Sequence, residues 1–165
     1  MKDTKKYNDT LLLPKTNFEM RANLPEKELQ TLKFWNEIDL WKKLRHTSKE
    51  RKKFILHDGP PYANGPIHMG TAANKILKDI INRTMQIEGY DADFVPGWDC
   101  HGLPIEWQIE KEYRKKGLNK DDINIRDFRK ECRDFAAKWI EEQKKSFIRL
   151  FVLADWNNPY LTMDY

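Results

Sequence analysis

Apolar positions recur at spacings of three and four through Ala73, Ile76, Leu77, Ile80, Ile81, Thr84 and Met85. That period predicts an amphipathic helix, opened by His68-Met69-Gly70-Thr71 and stopped by Gly89. Upstream, Pro25 suits a first helical position, and Leu29, Leu32, Trp35, Ile38 and Trp41 give another helix a broad apolar sector. A charged connector, 42–53, leads from it to the short apolar run Phe54-Ile55-Leu56, which reads as a strand. Residues 92–95 read as a second strand. Residues 105–116 predict a helix ended by Gly117, and 122–150 a long helix whose buried stripe is Phe128, Cys132, Phe135, Trp139 and Leu150. Residues 1–23 read as an extended arm punctuated by Pro14 and Asn17. Strands alternating with helices predict an α/β fold with a parallel sheet.

Two loops in this pattern carry the candidate chemistry. The first is His57-Asp58-Gly59-Pro60-Pro61-Tyr62-Ala63-Asn64-Gly65-Pro66, ending at His68. A strand, a loop rich in Gly and Pro and a helix start bring backbone N–H groups and a helix N-terminus up to a phosphate. Gly70, without a Cβ, would let a ligand come close to the first helical turn. The second loop, Val95-Pro96-Gly97-Trp98-Asp99-Cys100-His101-Gly102-Leu103-Pro104, again follows a strand and precedes a helix. Loops after neighbouring parallel strands lie together at the carboxyl edge of a sheet, where α/β folds bind ligands. A cation entering a partly desolvated cleft there requires a carboxylate, and Asp99 is the candidate. Trp98 serves equally as an apolar wall or as a packed core residue. Asp58 reads as a turn cap or as support for its neighbours, His101 as a loop support, and His46 as structural. Met69 is expected to point into the core. Trp139 is read as packing, and Arg114-Lys115-Lys116 and Lys144-Lys145 as solvated faces.

Composition narrows the field. A chain of 165 residues, 39% hydrophobic, suits one domain with a modest core. A net charge of +4 fits a nucleic-acid or nucleotide partner without demanding one. The two cysteines, Cys100 and Cys132, stand far apart, which argues against a disulfide framework or a zinc site and for a reducing cytoplasm. Lys2, Asp3, Lys5 and Lys6 replace the apolar core of a signal peptide, and no run reaches membrane-spanning length.

The two loops together resemble the class I aminoacyl-tRNA synthetases, and within that class the members that use isoleucine. The resemblance rests on the stretch His57 to Gly65, on His68-Met69-Gly70, on Asn74-Lys75-Ile76-Leu77-Lys78-Asp79 and on the block Val95 to Glu106. Leu13-Pro14-Lys15-Thr16 with Phe18 and Met20-Arg21 extend it upstream, and Asp155-Trp156, Pro159-Tyr160 and Thr162-Met163 downstream. It implies a Rossmann-type catalytic domain that activates isoleucine with ATP and Mg2+ and transfers it to tRNA(Ile). It also implies that Gly59, His68, Gly70 and Thr71 contact ATP, with His68 and Thr71 catalytic, and that Gly59, Pro60 and Asp99 line the amino-acid pocket. Thr71 stands where the family usually has a second histidine. A hydroxyl can donate a hydrogen bond but cannot carry positive charge, and Thr71 could equally cap the helix.

The family's lysine-rich KMSKS loop does not occur in the sequence, nor its editing insertion or anticodon-binding helices. The chain is therefore expected to be an arm and helix, 1–50, followed by the first half of the catalytic domain, 51–165, inactive alone and part of a monomeric enzyme. A valyl- or leucyl-type synthetase and a non-catalytic nucleotide- or RNA-binding module are the alternatives.

Overall fold

The computed structural model describes residues 10–12, 16–17 and 19–164. Lys2, Asp3, Lys5, Lys6, Leu13-Pro14-Lys15 and Phe18 lie outside the described residues, so the reading of an extended arm is followed only in part. Helix α1 (Leu24–Glu37) and helix α2 (Leu40–Ser48) form where one helix and a charged connector were expected. The break falls at Asp39, which takes a left-handed φ of 48° and accepts a hydrogen bond from Lys42 N at 3.4 Å as the cap of α2. Arg45 on α2 then donates to Asp91 Oδ1 at 2.5 Å and to Gln86 Oε1 at 2.6 Å, fastening the helical pair to the rest.

Strand β1 (Lys53–Phe54), helix α3 (Met69–Ile87) and strand β2 (Asp91–Ala92) form a parallel crossover, with Lys53 beside Asp91 and Phe54 beside Ala92. Strand β3 (Gly97–Trp98) continues into helix α4 (Leu103–Lys115), helix α5 (Ile125–Arg149) and strand β4 (Tyr160–Leu161), which pairs parallel to β3. The α/β class and the parallel pairing therefore agree with the sequence reading. The strands are shorter than expected, however, and they form two separate two-stranded sheets.

The main core gathers Phe94, Trp98, Ile105, Ala136, Ile140, Phe147 and Val152, with Trp139 packed at its margin. Trp98, Phe147 and Trp156 place their ring centroids 6.3 Å apart. Trp98 is thus a core residue and not a pocket wall. On α5 the buried stripe runs through Phe128, Ala136, Ile140, Gln143 and Phe147, while Leu150 is exposed.

Helix α3 reverses the expected polarity. Ala72, Lys75, Asp79 and Asn82 are buried, whereas Ile76, Leu77, Ile80 and Ile81 face water, with Leu77 61% exposed. Most of the buried polar groups are held by partners, although the Asn82 side-chain oxygen has none among the described residues. Asp79 accepts from Leu153 N at 2.8 Å and from Arg83 Nε at 2.6 Å, and Asn82 donates to Lys78 O at 2.9 Å. Periodicity identified the helix but assigned its inward face wrongly, because its inner neighbours present hydrogen-bonding groups. No helix among the described residues is long and apolar enough to cross a membrane.

Candidate active site

The first loop ends in an unusual cap. His68 precedes α3 in extended conformation, and its Nδ1 accepts from Gly70 N at 3.1 Å and Thr71 N at 3.3 Å. Two of the helix's orphan N–H groups are satisfied by one ring nitrogen. A neutral ring that accepts at Nδ1 carries its proton on Nε2, so the local geometry selects the tautomer that donates outward. A Cβ on Gly70 would fall 2.9 Å from His68 Cε1. Glycine therefore leaves the space that the folded-back imidazole occupies, before any ligand is considered.

This arrangement changes two expectations. The N–H groups of Gly70 and Thr71 already donate inside the protein. Thr71 does not cap the helix, since His68 does; its hydroxyl has no partner among the described residues and is half-exposed. Met69, expected in the core, is exposed. Thr71→Val is therefore expected to leave the melting temperature unchanged. If that hydroxyl donates to a bound nucleotide, ATP–pyrophosphate exchange should fall several-fold, the equivalent of about 0.5–1.5 kcal/mol. A fall in melting temperature with unchanged exchange would reverse that assignment.

The two loops are joined backbone to backbone. Tyr62 and Asp99 form a parallel bridge in which Asp99 N donates to Pro61 O and Ala63 N donates to Asp99 O, both at 2.9 Å. Pro60 lies against Gly97, where an added Cβ would come within 3.3 Å of Pro60 Cβ and 3.1 Å of Tyr160 Cδ1. The structure thus brings Pro60 to the second loop and sets Asp99 beside Pro61 and Ala63. Gly59 sits nearer Lys78, whose Nζ is 3.5 Å from the Gly59 carbonyl oxygen.

Asp99 is oriented from the C-terminal segment. Its Oδ1 accepts from His101 N at 3.3 Å and from the Thr162 hydroxyl at 3.4 Å. Thr162 Oγ1 also accepts from Cys100 N at 2.9 Å, and the His101 ring is 2.7 Å from Thr162 O. His101 supports the loop, as its position suggested. Asp99 Oδ2 has no protein donor among the described residues. Burial pushes the Cys100 thiol upward, and its Sγ is 3.6 Å from Trp98 O, so it remains a protonated thiol.

Asp58 is more than a turn cap. It is buried, it forms an ion pair with the buried Lys75, it accepts from Lys78 Nζ at 2.7 Å, and Oδ2 accepts from Gly97 N at 2.9 Å. One carboxylate on the first loop therefore holds two lysines of α3 and the backbone of the second loop. Lys75 Nζ also lies 5.3–5.9 Å from the ring centroids of Phe94, Trp98 and Phe147. Burial lowers its pKa, and Asp58 draws it partly back. The sequence drew attention to both lysines only as part of the resembling run Asn74 to Asp79, not as partners of Asp58, from which they lie 17 and 20 residues away.

Parallel strands that each lead into a loop, with a capped helix start at one and an oriented carboxylate at the other, are the arrangement of a Rossmann-type fold. Comparison with known proteins makes this specific. A family model described as "tRNA synthetases class I (I, L, M and V)" matches residues 30–165, and the chain belongs to that family. The isoleucine–tRNA ligase of Agrobacterium fabrum is 59% identical over 159 residues, 96% of this chain and 16% of the relative. Those of Mesorhizobium japonicum and Pelagibacter ubique are 58% and 59% identical, over 99% and 95% of this chain. The chain spans about a sixth of the length of these relatives. Among solved structures, a LeuRS–tRNA–LeuAMS ternary complex from Agrobacterium radiobacter K84 matches with a TM-score of 0.64 and 24% identity, covering 87% of this chain and 16% of that one. That likeness shows the fold.

Proposed function

We propose that this chain is the amino-terminal part of an isoleucine–tRNA ligase, with residues 1–50 its arm and helices and 51–165 the first half of its catalytic domain. The whole enzyme would be a cytoplasmic monomer acting on isoleucine, ATP and tRNA(Ile). Isoleucine as the substrate is supported by relatives of that name at 58–59% identity along nearly the entire chain. The observation that carries the chemistry is the cross-bonded pair of loops, which offers one unoccupied carboxylate oxygen at Asp99 and one outward ring N–H at His68.

In that reading, the isoleucine carboxylate attacks the α-phosphorus of ATP and the bond to pyrophosphate breaks; a tRNA hydroxyl then attacks the acyl carbon of the adenylate and AMP leaves. Charge grows on phosphoryl oxygens, so the site needs fixed donors and no protein nucleophile. His68 Nε2–H supplies one, with the Thr71 hydroxyl beside it; Gly59 and Gly70 allow the nucleotide to approach. Mg2+ would travel on the ATP phosphates, as that ion commonly does. Asp99 Oδ2 pairs with the substrate ammonium, and Gly59 and Pro60 line the amino-acid side.

Isoleucine-dependent ATP–pyrophosphate exchange tests the assignment. The full-length enzyme is expected to be active and the 165-residue chain alone inactive. His68→Ala in the full-length enzyme should lower kcat by about 10²–10³, or roughly 2.7–4 kcal/mol, with isoleucine binding almost unchanged. Exchange within a few-fold of wild type would remove His68 from the reaction, and no isoleucine dependence at all would favour a binding module.

A further inference from the structure

Gln143 sits in the run Glu141-Glu142-Gln143-Lys144-Lys145, where its neighbours are solvated, yet it is only 3% exposed. It faces inward because it shares the α5 stripe with Ala136, Ile140 and Phe147. Its amide makes three hydrogen bonds. Oε1 accepts from the Trp98 indole N–H at 2.9 Å, and Nε2 donates to Tyr62 O at 3.0 Å and to Gly65 O at 2.7 Å.

The polarity of these contacts is fixed. An indole N–H only donates and a carbonyl only accepts, so one amide orientation satisfies all three. Tyr62 O and Gly65 O receive no backbone N–H among the described residues. The turn between them leads directly to His68, and Trp98 directly precedes Asp99. A hydrophobic side chain could fill the same volume but could not serve as both acceptor and double donor.

We propose that Gln143 is a positioning residue for amino-acid binding, holding the turn of the first loop in register with the Trp98-Asp99 segment. This rests on the reading of the two loops as an isoleucine-activating site. The helix that carries Gln143 offers no group of its own to the substrate in this scheme; it acts through two loops more than seventy-five residues and about forty-five residues away in sequence.

The test uses the full-length enzyme with Gln143→Glu and Gln143→Leu. Glutamate keeps the acceptor for Trp98 and removes the donors to the turn, while leucine removes both. Each should raise the isoleucine KM in exchange by about tenfold or more, with the ATP KM within about twofold. Both variants should also be nicked by chymotrypsin after Tyr62 at least about tenfold faster than wild type, at temperatures well below their melts. An isoleucine KM and nicking rate like wild type's would overturn the proposal. So would parallel rises in both KM values with a matching drop in melting temperature, since Gln143 would then be packing only. If wild type shows no isoleucine-dependent exchange, the functional reading fails, and the nicking rates still decide whether Gln143 holds the turn.

Discussion

Asp58→Asn is expected to destabilise the chain by about 3–5 kcal/mol at neutral pH, the range for removing one partner of a buried ion pair. Asparagine can still accept from Gly97 N, so the second loop keeps that contact. Lys78 can turn toward solvent. Lys75, 1% exposed, cannot, and it is left among three aromatic rings whose faces compensate only part of its charge. Burial already lowers the Lys75 pKa in the native protein, and losing Asp58 lowers it further. Between the folded and unfolded pKa values the unfolded chain binds more protons, so stability rises with pH across that window. The window lies below the ordinary lysine value and extends to lower pH in the variant. Urea midpoints at pH 7 and pH 9.5 should therefore converge toward wild type as pH rises. Adding Lys75→Met should recover most of the loss, because an apolar replacement of a buried pair is often neutral. A loss independent of pH and unrelieved by Lys75→Met would show that the carboxylate matters for the loop backbone alone.

Asp99→Asn in the full-length enzyme should raise the isoleucine KM by an amount equivalent to about 2–5 kcal/mol, with the ATP KM near normal. Asp99 Oδ1 is engaged by His101 N and Thr162, and an amide oxygen can keep both contacts. The amide nitrogen would then replace Oδ2, presenting a donor to an ammonium group that brings only donors. The loop should keep its shape while the substrate loses its counter-charge. Equal losses for isoleucine and ATP, with a lower melting temperature, would show that the second loop had unfolded instead.

The helices were legible because apolar period and glycine stops agree at Gly89 and Gly117, both with positive φ. The division of α1 from α2 was not, since Asp39 enters the left-handed region with no glycine or proline to announce it. The two loops were found from their composition and resemblance. Their cross-links were harder to see, because Asp58, Lys75 and Gln143 are residue types normally left in water. Gln143 had one available signal, its place three residues after Ile140 and four before Phe147 on a buried stripe. Lys75 stood in the resembling run Asn74 to Asp79, but nothing there marked it as buried, because the α3 pattern pointed to the opposite face. Thr162, which orients Asp99, lies 63 residues away and comes into contact only through the β3–β4 pairing.

The outward row Ile76, Leu77, Ile80 and Ile81 also has a temporal consequence. In polypeptides about six times as long as this one, a ribosome adding about 5–20 residues per second needs on the order of a minute or more to complete the remaining length. Through that interval a nascent chain folded this far displays an aliphatic ridge to solvent. Holdase chaperones that grip short apolar segments would find their target here early in translation, and slower elongation downstream would lengthen the exposure.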